Sequence, residues 1–274
     1  MGDVREGFGA AAVSVDAAAA FAELDEVLWD PIAAATVLRS APRFDERVLD
    51  AAAGDGSSAL PTAELVGPGG VVDAVDASEA LVALLRERAG ERMPQLRTHV
   101  GDPAAWPYTG YDLVQCVLGV FRFDEVEEGT SHLVECARPG GRVALTVWAH
   151  GALDPLGEVL ASALPPDDER VAAFDDAARP TLARAETAGT FAQWVADRGL
   201  VDVRAEAVPR HLDLTDGLAW RVVMGTGLRS LLGELDDEAV EGVRERFAAD
   251  LDARSVTILD VTTLVAVGRR PETS

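Results

Sequence analysis

Short apolar runs alternate with segments whose apolar residues recur at helical spacing, most sharply between residues 47 and 148. Runs at 48–52, 71–76, 96–100, 111–118 and 142–148 are expected as strands. Between them, helices are expected from Ser57 or Ser58 to about residue 66, from a Ser78 cap to about 89, and over 124–137. Gly54-Asp55-Gly56, Gly67-Pro68-Gly69-Gly70 and Pro139-Gly140-Gly141 punctuate the series as turns. Strand–helix alternation with near-continuous apolar strands such as 143–147 predicts a parallel α/β sheet covered on both faces.

The flanks read differently. Residues 1–46 form a helical preface: Ser14 and Asp16 cap a helix over 17–28, and Pro31 starts another to about 38. Residues 149–188, rich in proline and acid, break the rhythm and are expected as a helical insertion. A helix at 190–198, a strand at 201–208, helices at about 215–232 and 236–252 and a last strand at 259–268 complete the chain. The expected organisation is an N-terminal cap segment, 1–46, on one domain, 47–274, with insertions at about 149–188 and 215–252.

Composition narrows the function. The 274 residues carry 47 acids against 24 bases, a formal net charge of −23. All the bases are arginine, so neither a Schiff-base lysine nor a phosphate-loop lysine is available. So acidic a surface repels nucleic-acid backbones and anionic membranes, and neither is expected as a partner. Cys116 and Cys136 are too few for a disulfide scaffold or a cysteine zinc site; both are expected as small buried apolar residues, and no metal is expected. No apolar run reaches the length of a membrane span and the N-terminus lacks a signal-peptide pattern, so a cytoplasmic protein is expected. A homo-oligomer is compatible with the sequence.

Right-handed crossovers bring the C-terminal ends of parallel strands to one edge, where ligands bind. Gly54, Gly56, Asp76, Asp102 and Trp148 all fall there. Gly54-Asp55-Gly56-Ser57-Ser58-Ala59 fits a G-x-G-x-x-G/A turn, with Asp76 following 20 residues after Gly56. Such a turn lets a ligand approach backbone at a helix start, and an acid there accepts hydrogen bonds from ribose hydroxyls. Both NAD and S-adenosyl-L-methionine (SAM) carry that ribose.

Further motifs discriminate between the two. Val48-Leu49-Asp50-Ala51-Ala52-Ala53-Gly54-Asp55-Gly56, Val75-Asp76-Ala77-Ser78, Gly101-Asp102, Tyr111-Asp112-Leu113-Val114 and Ala137-Arg138-Pro139-Gly140-Gly141-Arg142-Val143 resemble, in order, the motifs of class I SAM-dependent methyltransferases. The similarity is to the small-molecule group that includes the ubiquinone/menaquinone C-methyltransferases, close over about 47–149 and looser beyond. It implies a Rossmann-like, seven-stranded, mostly parallel sheet with helices on both faces and a helical cap, the last strand inserted antiparallel. It also implies SAM as cofactor. Asp50 and the backbone around Ala52, Gly54 and Gly56 would hold its methionine portion, Asp76 and Ala77 its ribose, and Gly101, Asp102 and Pro103 its adenine. Cys116, Val117 and Leu118 would floor the site near the transferable methyl. Ala52 stands where many members have a glycine. Asp55 is unusual in that turn and is expected to point to solvent.

Methyl transfer from a sulfonium needs alignment and dryness more than a fixed catalytic signature. His150, following the fifth strand, is the candidate base. Trp29, Phe121, Trp148 and Trp220 are candidates for the acceptor pocket, and Arg122 and Arg221 for an acidic acceptor group. The function expected is methyl transfer to a small organic acceptor, in keeping with bacterial secondary metabolism. Two other readings share part of these motifs: a methyltransferase-like fold catalysing a different reaction such as a cyclisation, and an NAD-dependent oxidoreductase. The second leaves Asp50, Gly101-Asp102 and the Arg138-Pro139-Gly140-Gly141 turn unexplained.

Overall fold

The computed structural model describes residues 14–165, 168–174, 184–233 and 235–272. Parts of the expected cap segment (1–13) and of the insertion at 149–188 (166–167 and 175–183) lie outside the described residues.

The sheet has seven strands. β1 (Arg47–Ala51), β2 (Val71–Asp76), β3 (Leu96–Val100), β4 (Tyr111–Val117) and β5 (Ala137–Trp148) run parallel. β6 (Val201–Val208) forms the far edge, and the last strand, β9 (Thr263–Arg269), slots between β5 and β6, antiparallel to both. The order is β3-β2-β1-β4-β5-β9-β6. The chain therefore reverses its direction of travel across the sheet between β1 and β4. The C-terminal ends of these two strands flank the crevice where ligands bind in such sheets.

Helices α3 (Ala59–Val66), α4 (Glu79–Ala89) and α5 (Val126–Cys136) make the crossovers. Ser78 caps α4 by accepting from the Leu81 N–H, and Gly90 stops it. The central strands are buried on both faces, as their apolar runs require: Leu49, Leu113, Leu145 and Ala266 are fully covered.

A second apolar core lies beside the sheet edge, built from three separated stretches of chain. The first holds α1 (Val15–Ala22), a π-helical turn (Asp25–Trp29) and α2 (Asp30–Ser40). The second holds α6 (Asp154–Ala163). The third holds α8 (Asp216–Gly225), a 3-10 turn (Gly227–Leu232) and α9 (Asp237–Ala253), which α7 (Ala188–Ala196) and β6 precede in the chain. Leu24, Leu28, Leu156, Leu160, Val222 and Phe247 meet there. Arg142 ties the first stretch down. It is gripped by both Glu46 oxygens, at 2.9 and 2.6 Å, and donates to the Ser40 and Ala41 carbonyls.

Several sequence expectations shift. The helix expected over 17–28 ends at Ala22 and passes through the π-helical turn. The helix expected over 215–232 breaks at Gly225-Thr226-Gly227, where the Thr226 hydroxyl bonds the Val222 carbonyl. The strand expected over 259–268 is two. Residues Ile258–Asp260 (β8) pair with His211–Asp213 (β7) in a separate ribbon, and the chain turns because the Asp260 carboxylate accepts the Thr262 N–H.

Candidate functional site

A cavity of about 1570 Å³ opens at the C-terminal ends of β1, β2, β4 and β5, between the sheet and the second core. That exceeds the few hundred to a thousand Å³ of a typical small-ligand pocket. It has room for two molecules side by side.

The sheet side is polar. Asp50, fully buried at the end of β1, accepts from the Ser58 hydroxyl at 2.7 Å and from the Gln115 amide at 2.9 Å, both on Oδ2. Its Oδ1 is buried without a partner, as is the hydroxyl of Ser57 in the glycine turn. Burial pushes the Asp50 carboxyl up to about 6, with the two donors opposing the shift. Asp76, at the end of β2, accepts the Gly54 N–H on one oxygen and the Ser78 N–H on the other, at 2.9 and 2.8 Å. Each oxygen retains a second lone pair for a ligand hydroxyl. Asp102 accepts the Ala104 N–H on Oδ1 and is otherwise exposed at the cavity rim.

Small residues make the cradle. Gly56 has φ +102°, and a Cβ there would lie 2.2 Å from Leu85 Cδ1. Gly119, one residue beyond the β4 turn, would place a Cβ 2.5 Å from the Ala52 Cβ. Ala52 and Leu118 both line the cavity with φ +56°, the left-handed region that costs a side-chain-bearing residue about 1–2 kcal/mol. Local strain at two adjacent turns facing one cavity fits a site held in shape for a ligand.

The structure brings together Ala52, Gly54, Asp76, Ala77, Asp102, Pro103 and Val117 along the sheet side of the cavity. Trp29, Phe121, Arg122 and Trp148 line it as well. Trp29 lies between Phe21 (4.6 Å between ring centres, stacked) and Trp148 (6.3 Å, tilted). Gly56, Gly101, Asp50 and Cys116 stand behind this wall. The Gly101 N–H bonds the Asp76 carbonyl, and burial pushes the Cys116 thiol well up, leaving it protonated. His150, Trp220 and Arg221 are not brought to the cavity. His150 is exposed on the turn after β5, Trp220 packs on Phe247 at 5.7 Å, and Arg221 is exposed.

Asp55 departs from expectation: its side chain is buried, not solvent-facing. Arg88, from α4, reaches across and meets three carboxylates: Asp25 at 2.8 Å, Asp55 at 3.1 Å and Asp30 at 3.3 Å. Burial, then the Asp55 charge, push Asp25 up to about 8, and burial raises Asp55 too. Both acids are held above their ordinary values, with the Arg88 guanidinium between them opposing the rise. Asp55 thus points toward the cap segment, and its pairing removes the repulsion a free acid would exert on an anionic ligand.

Residues missed by sequence reasoning lie mainly on the cap side: Phe21, Met224, Leu231 and Arg229 line the cavity from helices and turns that carry no motif. Among the described residues, no group of three or more His, Cys, Asp or Glu forms a metal site, and no helix is long and apolar enough to cross a membrane.

Comparison with known proteins agrees with this geometry. Residues 48–141 match a family described as a methyltransferase domain. The nocamycin O-methyltransferase of Saccharothrix syringae is 32% identical over 108 residues, which are 38% of this chain and 39% of that protein. The demethylmenaquinone methyltransferase of Renibacterium salmoninarum is 29% identical over 168 residues, 58% of this chain and 68% of that protein. The match thus spans about two fifths of the first relative's length. In fold, the chain is similar to the Bacillus subtilis protein YcgJ (TM-score 0.58, 17% identity), over 89% of this chain and 99% of that one.

Proposed function

Because the chain carries a class I SAM-dependent methyltransferase domain, we propose that it transfers a methyl group from SAM to a small organic acceptor held under the cap. The observation that carries this is Asp76: its carboxylate fixes the glycine turn through the Gly54 N–H and faces the cavity with lone pairs to spare. The rest of the sheet side fits the same molecule. The unpartnered Ser57 hydroxyl on the wall suits the carboxylate of a methionine moiety, and the charge of Asp50 behind the wall favours its ammonium. Asp102 suits an exocyclic amine at the far end.

SAM, when bound, supplies an electrophilic methyl that needs no further activation. This chain's part is to align and to dry. Asp76 and the glycine turn would hold the ribose. Leu118 and Val117 at the end of β4 floor the cavity, and Trp29, Trp148 and Phe121 give it apolar walls that exclude water. An apolar acceptor with a flat portion suits such walls. The exposed acids on the rim favour a small acceptor over a nucleic-acid backbone.

Isothermal titration with S-adenosylhomocysteine tests the reading. Wild-type protein is expected to bind it, and Asp76→Ala is expected to weaken binding about 10–100-fold, the scale of a charge-assisted hydrogen-bond pair. Unchanged affinity in that variant would overturn the assignment. Transfer of label from methyl-labelled SAM to a product, rather than a rearranged unmethylated product, separates methylation from cyclisation.

A further inference from the structure

We infer that Arg229 anchors the acceptor by holding a carboxylate carried on an apolar body. The inference deepens the preceding reading and rests on it for the position of the cofactor. Arg229 lies on the 3-10 turn Gly227–Leu232 and lines the cavity from the cap side. Its Nη1 is buried and has no hydrogen-bond partner. Around it the turn is apolar, with Leu228, Leu231 and Leu232 all buried.

Three other arginines of the cap side find acceptors. Arg170 is closed by the Asp168 carboxylate and the Leu232 carbonyl. Arg246 donates to the Ala163 carbonyl, and Arg254 to the Ser162 hydroxyl. Arg229, among the described residues, meets no acceptor with its side chain. Arg229 is half-buried, and its buried, unpartnered nitrogen carries a desolvation cost that an anionic ligand group would offset. In a chain with a net charge of −23 that has many carboxylates to spare, its lack of a carboxylate partner is the more informative.

The charge of the ligand follows. A guanidinium fork matches a planar carboxylate with two parallel hydrogen bonds. A dianion such as a phosphate monoester would need more positive charge than this. The other arginine on the cavity wall, Arg122, is exposed. Asp124, Glu125, Glu128, Asp154, Glu158 and Asp237 also line the cavity, each at an exposed position, and would repel a second negative charge. One anionic group on an apolar frame is what the walls accept.

The test uses protein saturated with S-adenosylhomocysteine and three probe pairs: 2-naphthoate, 4-phenylbenzoate and decanoate, each titrated beside its neutral primary amide. At least one carboxylate is expected to bind tenfold or more tightly than its amide. Arg229→Gln is expected to erase that preference while leaving the affinity for S-adenosylhomocysteine within twofold. Should that variant not fold, Arg229→Lys keeps the charge and loses the fork, and is expected to reduce the preference. The proposal is overturned if no carboxylate outbinds its amide, or if the preference survives either substitution unchanged. If the wild-type protein does not bind S-adenosylhomocysteine, the cofactor reading fails on its own. The same carboxylate–amide comparison on the free protein then still decides for or against Arg229.

Discussion

The two walls of the cavity are built on different principles. The sheet wall rests on polar networks: Asp76 holds two backbone N–H groups, and behind it Gln115 bridges Asp50 and Thr62. The cap wall stands on leucine, valine and aromatic side chains from three distant stretches of chain, fitted by volume, with a few charged residues such as Arg229 at its face. Committed polar networks tolerate little change, since losing one partner strands another. Apolar cores accept many substitutions of similar volume. A protein divided this way can keep one cofactor while its acceptor pocket drifts, so specificity is to be sought in the cap and cofactor recognition in the sheet.

Stability measurements sharpen this contrast most. Gly56→Ala forces a side chain into φ +102° and against the buried Leu85. Strain and overpacking together are expected to cost about 2–5 kcal/mol. Because the same turn approaches the cofactor, affinity for S-adenosylhomocysteine should fall as well. Leu160→Ala, in the middle of the cap core, is expected to cost about 2–4 kcal/mol through the cavity it leaves. Its effect on that affinity should stay below about threefold, since it touches no committed polar group. Urea denaturation and isothermal titration of both variants read the two quantities. Equal losses of affinity would dissolve the division between the walls.

The same contrast explains what was legible in the sequence. The sheet wall is written in local chemistry: Asp76 ends its strand, Gly54 and Gly56 make their turn, and five motifs stand in chain order. Strand positions followed from apolar runs because parallel strands are covered on both faces. The cap wall is written in contacts between distant segments, and periodicity alone does not say which helix faces which. Arg221 and Arg229 are eight residues apart on neighbouring turns, and the break at Gly225-Thr226-Gly227 directs one to solvent and the other to the cavity. Asp55 was misjudged for a related reason. Its partner Arg88 lies 33 residues on, at the far end of α4, and Asp25 comes from the cap.

Buried acids on the two walls give separate pH windows. Asp50 sits at about 6 in the folded protein against 3.8 as its ordinary value, so its burial costs stability progressively as pH rises from about 4 to 6. A bound ammonium favours the ionised form, so cofactor affinity moves oppositely. It should weaken by at most about fivefold between pH 6 and 5 and level off above pH 7. Asp25 sits at about 8, so the proton that lets it lie beside Asp55 is lost only as pH passes 8. Cap docking, followed by amide exchange at residues 15–40, is expected to hold at pH 7 and loosen by pH 9. Asp25→Asn should flatten that dependence and leave the lower window untouched. A single shared window for both readouts would refute the separation of the walls.

The smallest effect concerns the seam between the β1 and β4 turns. Ala52 occupies the left-handed region where a glycine would be unstrained, and its Cβ faces the gap left by Gly119. Ala52→Gly relieves the backbone but also frees the unfolded chain, two terms of about 1 kcal/mol that nearly cancel. Stability should therefore change by less than about 0.5 kcal/mol. Gly119→Ala alone places its methyl 2.5 Å from that of Ala52 and 2.7 Å from the Cys116 sulfur, and should destabilise more. Combining the two removes the first clash and keeps the second, so the double variant should recover part of the loss, with a coupling of about 0.5–1 kcal/mol. Simple additivity in that cycle would mean that the two turns do not bear on each other, and that the strain at Ala52 is local to the glycine turn rather than imposed by the strand beside it.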